Sequence, residues 1–291
     1  MEGELWKQLY QWVREIASRR KPQKYVQFPD WWILLVYFWA VVHDRPQGWA
    51  CDPCNWPADL LAGRPLPSQS RLSERLRTVP VQQLLECVMS LARDRMPNQL
   101  VKCIDAKPLP VGSFSKDRDA KRGRAGKAQA KGYKLFAIYE GAGINAWRLG
   151  PMNQSESTVA RQLIREAATF GEGYLLGDAL YDSNPLHALA TEHGLQLVAP
   201  RKRTGGGLGH RPHEPSRLRA VDMLEGPDAF GRSLYATRVS IEQRFGQAGN
   251  LGCGLSPLPN WVRRPHRVAL WVATKLLILT CWNYRKQKVT A

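Results

Sequence analysis

Three acidic residues have the types and positions expected of one carboxylate site. Asp105 ends the apolar run L-V-K-C-I-D, and Asp178 ends the run Y-L-L-G-D. Central strands disfavour Asp, so an Asp at the carboxyl end of a strand, where open α/β sheets bind their ligands, is a candidate site residue. Glu242 lies in L-Y-A-T-R-V-S-I-E-Q-R-F-G, where helical spacing places it on one stripe with Tyr235 and Arg238. Each Asp alone would also suit a turn or a cap, but the three acids together favour one site.

The Glu242 carboxylate lies on the inward-facing stripe of its predicted helix, so its negative charge requires a compensating positive charge. A buried carboxylate takes up a proton unless a cation lies beside it. Arg238, one turn earlier, is one candidate cation and a bound metal is another; an ordinary Arg–Glu pair on a half-exposed helix is the alternative. Three convergent carboxylates suit Mg²⁺ or Mn²⁺, and two such ions roughly 3.5–4 Å apart assist phosphodiester cleavage. We expect Asp182, four residues after Asp178, to act in the turn or helix cap instead.

The elements that must position these acids fall into two predicted domains. Residues 1–98 carry apolar stripes at helical spacing and predict an all-α domain. After a composition shift at Met96-Pro97-Asn98, a hairpin pattern joins Tyr133–Tyr139 to Ile144–Leu149. Residues 99–291 are predicted to follow the order β-β-β-α-β-α-β-loop-α. This order predicts a mixed α/β domain.

Charge and apolar patterning restrict the partners. A formal net charge of +17 favours a polyanion, either nucleic acid or an anionic membrane surface. The apolar run Trp31–Val42 is well short of the roughly 20 residues that span a bilayer, and no signal peptide precedes it, so we expect no membrane partner. The scattered cysteines suit a reducing cytosol. Cys51 and Cys54 have zinc-like spacing, and His43 and Cys87 could complete four ligands. No second C-x-x-C or H-x-x-x-H follows, so a plain turn with two partly buried thiols is the favoured interpretation.

The sequence resembles bacterial insertion-sequence transposases of the DDE type. The signature of that group, Y-x2-R-x3-E-x6-K, is matched by Tyr235, Arg238 and Glu242, and the first two acids by Asp105 in I-D-A-K and Asp178 in G-D-A-L-Y-D-S. The chain departs from the signature at its last position, where Gly249 replaces Lys. Whatever that Lys does for DNA binding is either absent or falls to another residue such as Arg244.

The resemblance implies an RNase H-like mixed-sheet catalytic domain behind an all-α DNA-binding domain. Asp105, Asp178 and Glu242 would be catalytic and would hold two Mg²⁺ ions, with Mn²⁺ as a substitute, while Tyr235 and Arg238 support them. The implied activity is an endonuclease and strand-transfer reaction: double-stranded DNA is bound at terminal inverted repeats, cut at the element ends, and joined through the 3′-OH ends to target DNA. A homodimer in the DNA complex and a bacterial cytoplasmic, nucleoid-associated location are also implied.

Basic segments predict the DNA contacts. Residues 57–79 suggest a helix-turn-helix in which Leu72, Leu76 and Val79 face the core and polar residues face outward. Two flexible basic loops, Lys116–Lys134 and Arg201–Arg219, would hold phosphates without reading sequence. The candidate DNA-binding residues are Ser70, Arg71, Arg75, Arg77, Lys116, Arg118, Lys121, Arg122, Arg124, Lys131, Lys134, Arg201, Lys202, Arg203 and Arg244.

Two other classes of protein remain open at the level of sequence. One is a catalytically inactive, domesticated transposase or a helix-turn-helix regulator that only binds DNA. The other is a different RNase H-like nuclease. The intact acid triad argues against the first, and the helical N-terminal domain together with the Tyr-Arg-Glu helix argues against the second.

Overall fold

The computed structural model describes residues 2–290 except 24, 142, 203–206, 209, 211 and 251–254; it does not describe the side chains of residues 2, 240–250 and 289–290. The chain forms two compact units. One comprises Met1–Met96, Asn250–Leu255 and His266–Ala291, and the other comprises Pro97–Gly249 and Ser256–Pro265. The predicted domains 1–98 and 99–291 assign the C-terminal segment differently, and those ranges stay a prediction.

The first unit is helical. Its helices are α1 (Glu2–Ser18), α2 (Asp30–Val42), α3 (Gln47–Ala50), α4 (Ala58–Leu61), α5 (Gln69–Arg75), α6 (Val79–Asp94) and α11 (Pro265–Thr290). Helix α2, D-W-W-I-L-L-V-Y-F-W-A-V-V, is apolar on all sides and almost entirely buried, as a helix in the centre of a bundle must be. In the part of the chain that the structure describes, no helix has the length and apolar character needed to cross a membrane.

The second unit contains a mixed sheet. Its strands are β1 (Val101–Pro110), β2 (Lys121–Ala125), β3 (Ala128–Glu140), β4 (Gly143–Pro151), β5 (Gly173–Leu176) and β6 (Leu195–Val198). Their order is β2-β3-β1-β5-β6, with β4 also paired to β3. Strands β1, β3 and β4 are antiparallel neighbours, whereas β5 and β6 continue parallel to β1. The predicted mixed α/β class is confirmed.

Strand β2 lies where the sequence predicted a flexible basic loop. It pairs with the first residues of β3, from Ala128 to Gly132, and forms a two-stranded ribbon. Gly126, at φ +64°, occupies the tight connection between the two strands. The prediction of a loop for this part of Lys116–Lys134 is therefore wrong, because the alternation of basic and small residues hides a strand whose side chains face solvent.

Helices cover both faces of the sheet. Helices α7 (Glu156–Ala167) and α8 (Asn184–Glu192) pack over one face with Ile104, Phe136 and Ile138. Residues from α9 (Pro215–Glu225) and α10 (Ala229–Asn250) pack over the other face with Cys103 and Tyr139. Because side chains alternate along a strand, Asp105 shares the second face with Cys103.

Candidate active site

Asp105 lies in the middle of β1. The strand continues to Pro110 because each residue from Lys102 to Pro110 pairs with β3, so the prediction that Asp105 ends its strand is wrong. Its parallel pairing with β5 does end, at Cys103 and Leu176. Asp105 is therefore two residues beyond the shared ladder, at the edge where β5 gives way to a loop.

Asp178 occupies the equivalent place after β5. Continuing the register of Cys103 with Leu176 by two residues brings Asp105 level with Asp178, on neighbouring chain segments that begin about 4.8 Å apart. The Oδ1 atom of Asp178 accepts a hydrogen bond from the Leu180 backbone N–H at 2.8 Å. This local bond to a residue two positions on fixes the side chain in its turn.

The charges of Asp105 and Asp178 both affect the pKa of one buried phenol, that of Tyr181. Burial raises the pKa of Tyr181, and the charges of Glu156, Asp105 and Asp178 raise it further. Asp105 on β1 and Asp178 after β5 therefore lie within electrostatic reach of the same hydroxyl. A Cβ at Gly177 would approach the Tyr181 ring to 2.9 Å, so glycine allows the ring to pack beneath the start of this loop. No role for Tyr181 was evident from the sequence.

Helix α10 contacts both segments that carry an aspartate. The Tyr235 hydroxyl donates a hydrogen bond to the Gly177 carbonyl at 3.1 Å, and Arg238 Nη2 lies 3.9 Å from Asp105 Oδ1. Glu242 follows Arg238 by four residues, about 6 Å along the same helix face. Its backbone belongs to α10, while its side chain lies outside the described residues.

Lys107 is a further cation near the site, and it was not among the residues predicted from the sequence. It follows Asp105 by two residues on β1, so both side chains lie on the same face of the sheet. Burial lowers the pKa of Lys107, and the charge of Asp105 partly opposes that shift. The period of two residues in I-D-A-K was the signal that could have identified it.

No three acidic, histidine or cysteine side chains form a metal-binding cluster in the part of the chain whose side chains are described. That part includes Asp105 and Asp178 but not Glu242. It also includes Cys51, which is half-buried, and Cys54, which is exposed. Burial raises the pKa of the Cys51 thiol to about 11, which opposes the thiolate that zinc would need.

Asp182 is part of a buried ion pair, so its predicted role in a turn or cap is wrong. Its two carboxylate oxygens accept hydrogen bonds from Arg217 Nε at 2.6 Å and Nη2 at 2.8 Å, and His187 Nε2 lies 3.5 Å away. Burial would raise the pKa of Asp182, but the hydrogen bonds from Arg217 and the nearby His187 ring outweigh it and hold the pKa well below its usual value. The pair fastens the loop after Asp178 to α9.

Residues 97–281, more than half of the chain, match the family described as "Transposase DDE domain". The chain belongs to this family. Among solved structures, the Mos1 transposase paired-end complex with left transposon end is similar at 13% sequence identity and a TM-score of 0.25. That match covers 88% of this chain and 81% of the other. No curated protein matches the chain.

The β2–β3 ribbon of this DDE domain presents a cluster of exposed cations. Lys121, Arg122 and Arg124 of β2 are exposed, as are Lys116 and Arg118 in the segment before it. The aromatic ring of Phe114, in the same segment, is 97% exposed. The five predicted contacts in this cluster are accessible to a polyanion.

Other predicted contacts are engaged within the fold. Lys134 is buried and forms an ion pair with Glu156 at 3.0 Å. Lys131 donates a hydrogen bond to the Ser115 carbonyl at 2.6 Å, and Arg201 Nε donates to Glu225 Oε1 at 2.6 Å. The surface position predicted for Lys134 is wrong, because its strand lies inside the sheet.

Three predicted contacts remain. Lys202, in the second basic segment, is exposed. Arg203 of that segment and the side chain of Arg244 on α10 lie outside the described residues. Residues 215–219, predicted as the end of a flexible loop, form the first part of α9 instead.

The predicted helix-turn-helix has two short helices, α4 and α5, with Ser68 capping α5 through a bond from the Arg71 N–H. Ser70, Arg71 and Arg77 are exposed, and Leu72 and Leu76 are buried, as expected. Two expectations are wrong. Val79 is 62% exposed, and Arg75 turns inward, where Asp30 and the Phe28 carbonyl accept its hydrogen bonds.

Proposed function

We propose that this chain is a DNA transposase that cleaves phosphodiester bonds at the ends of a mobile element and joins the 3′-OH ends to target DNA. The observation that carries the proposal is that Asp105 and Asp178 each follow the last β1–β5 pair by two residues, with α10 attached to both segments through Arg238 and Tyr235. Membership of the transposase DDE family supports it.

The donor set fits a hard divalent cation. Asp105 and Asp178 are carboxylates just beyond the end of the β1–β5 ladder, and Glu242 would add a third from α10, whose Arg238 lies beside Asp105. We assign these three residues as ligands of two Mg²⁺ ions, with Mn²⁺ as a substitute, because carboxylate oxygens are the ligands these ions prefer. When bound, such a pair supplies an activated water and stabilisation of the leaving oxygen.

The other residues orient the acids. Tyr235 donates a hydrogen bond to the Gly177 carbonyl and would thereby limit movement of the adjoining Asp178. Arg238 offsets the charge of Asp105, and Lys107 adds a second positive charge on the same face. Both cations would contact the phosphate that reacts, since phosphate groups bind arginine and lysine.

Double-stranded DNA is the proposed partner. The exposed ribbon cations would hold the phosphate backbone, and Ser70, Arg71 and Arg77 of the helix-turn-helix would read the terminal inverted repeats. We also propose that a homodimer binds and cleaves the two element ends. The proposed location is the bacterial cytoplasm, at the nucleoid.

The test is cleavage of a labelled duplex taken from the inverted repeats that flank the gene. The full chain should cut this duplex at the repeat boundary with Mg²⁺ or Mn²⁺ and should bind without cutting in EDTA. A chain that binds the repeat but does not cut it with either metal would be a DNA-binding protein only. Equal cutting of a duplex without the repeat would indicate a nuclease of another kind.

A further inference from the structure

A basic groove lies in the helical unit, between the end of α1 and the start of α2. Its volume is about 520 Å³. Three cationic side chains line it, those of Arg14, Arg20 and Lys21, together with the ring of Trp31. None of the three cations belongs to the segments predicted to bind DNA, so the groove adds a charged surface of its own.

Asp30, the one acid among the described lining residues, does not neutralise these cations. Its Oδ1 atom accepts a hydrogen bond from Arg75, and its Oδ2 atom accepts one from Gln23 Nε2 at 2.8 Å. The Asp30 side chain is only 10% exposed. Its negative charge is therefore already compensated by Arg75, which does not line the groove.

The groove cations have few anchors and no acidic partner in the part of the chain that the structure describes. The Arg14 guanidinium lies 4.2 Å from the Trp31 ring centroid, a contact that orients it without cancelling its charge. Arg20 Nη1 donates a hydrogen bond to the Pro80 carbonyl at 2.8 Å, which likewise leaves its charge in place. Two guanidinium groups are thus held in position before any ligand arrives.

We propose that this groove binds the phosphate backbone of duplex DNA. The proposal rests on the proposed function, because a chain that moves DNA must hold a long duplex. Guanidinium groups bind phosphate oxygens through paired N–H donors, and contacts of this kind position a duplex without reading its sequence. The groove would extend the bound length of DNA beyond the helix-turn-helix.

Lysine acetylation read by mass spectrometry tests the groove in the unaltered full chain. A random-sequence 40-bp duplex should slow acetylation of Lys21 and of the ribbon residue Lys121, and should leave Lys7 unchanged. Lys7 lies on the same helical unit and pairs with Glu4. Protection of Lys121 without protection of Lys21 would overturn the proposal that the groove binds DNA, but not the proposed function. Protection of neither would overturn the proposed DNA binding as well.

Charge removal gives a second readout. Arg14→Gln with Lys21→Gln should flatten the dependence of log K on log salt by about two units, at roughly 0.9 per phosphate contact. Lys7→Gln with Lys288→Gln removes two charges from the same unit and should leave the slope unchanged. Equal slopes for the groove pair and the unaltered chain, or an equal fall in the control pair, would overturn the proposal. So would protection of Lys21 by phosphatidylglycerol vesicles but not by the duplex.

Discussion

The Tyr235 hydroxyl donates a hydrogen bond to the Gly177 carbonyl at 3.1 Å, one residue before Asp178. This bond joins α10 to the loop that follows β5. Since Arg238 on the same helix lies 3.9 Å from Asp105, one helix face is attached beside both aspartates. The position of Glu242, one turn further along, follows from these two contacts.

Loss of the Tyr235 hydroxyl should loosen this attachment. Tyr235→Phe keeps the ring but leaves the Gly177 carbonyl without its donor, so we expect a loss of about 1 kcal/mol in unfolding free energy and slower cleavage. Tyr174→Phe is the matched control, because Tyr174 lies on β5 and packs against Phe230. Denaturant unfolding and cleavage rates, measured for both variants, would show whether the Tyr235 hydroxyl stabilises the attachment of α10. Equal effects of the two substitutions would remove the special role of Tyr235.

The Arg217–Asp182 pair should stabilise the loop after Asp178. Arg217→Met leaves a buried carboxylate without its guanidinium and should cost about 3 kcal/mol at pH 7. Arg219→Met, on the same helix, removes only a bond to Gln196 and should change stability by less than about 0.5 kcal/mol. Urea unfolding measures both. A small effect at Arg217 would show that the pair does not hold the loop.

The same pair predicts a pH dependence. The pKa of Asp182 is depressed in the folded chain, so its stabilising effect is complete above the unfolded-state pKa of about 3.9. The effect is lost as pH falls through the lower folded-state pKa. The difference in stability between the unaltered chain and Arg217→Met should therefore be largest near pH 7 and shrink below about pH 4. A constant difference across that range would contradict the assignment.

Patterns of neighbouring residues in the sequence predicted the elements that depend mainly on contacts between neighbouring residues. Two apolar runs, Tyr133–Tyr139 and Ile144–Leu149, predicted the hairpin of β3 and β4. Strand β2 was missed because its outward side chains are basic or small and carry no apolar period. Its pairing with β3 depends on the neighbouring strand rather than on its own residues.

Long-range partners could not be predicted in the same way. The helical stripe correctly placed Leu72 inside, but Arg75 turns inward because Asp30, far away in sequence, accepts its hydrogen bond. Similarly, Asp182 follows Asp178 closely in a sequence that suits a turn, yet its partner Arg217 lies on α9. The level placement of Asp105 and Asp178 needed the register of β1 with β5, which neither strand encodes alone.

The inward position of Arg75 changes what its substitution should do. Arg75→Ala should destabilise the helical unit by about 3 kcal/mol, because Asp30 would lose its guanidinium partner. Arg71→Ala, at an exposed position of the same helix, should leave the melting temperature unchanged and reduce the preference for the terminal repeat over random DNA. Thermal unfolding and competition binding would separate the two. The opposite pattern would restore Arg75 as a DNA-reading residue.

The exposed ribbon should contribute to binding without reading sequence. Replacing Lys121, Arg122 and Arg124 together with Gln should weaken binding to every duplex and flatten the salt slope by about two to three units. Fluorescence anisotropy over a salt series measures this slope on repeat and random duplexes. A loss confined to the repeat duplex would instead assign sequence recognition to the ribbon.

Cleavage by Glu242→Gln measures most directly whether Glu242 completes a metal site with Asp105 and Asp178. The substitution removes the charge and keeps the size of the side chain, so melting temperature and repeat binding should stay at the values of the unaltered chain. Mg²⁺-dependent cleavage should fall to background, as it should for Asp178→Asn, while Glu192→Gln, an exposed acid on α8, should cleave normally. Cleavage by Glu242→Gln at the rate of the unaltered chain would contradict the three-carboxylate mechanism.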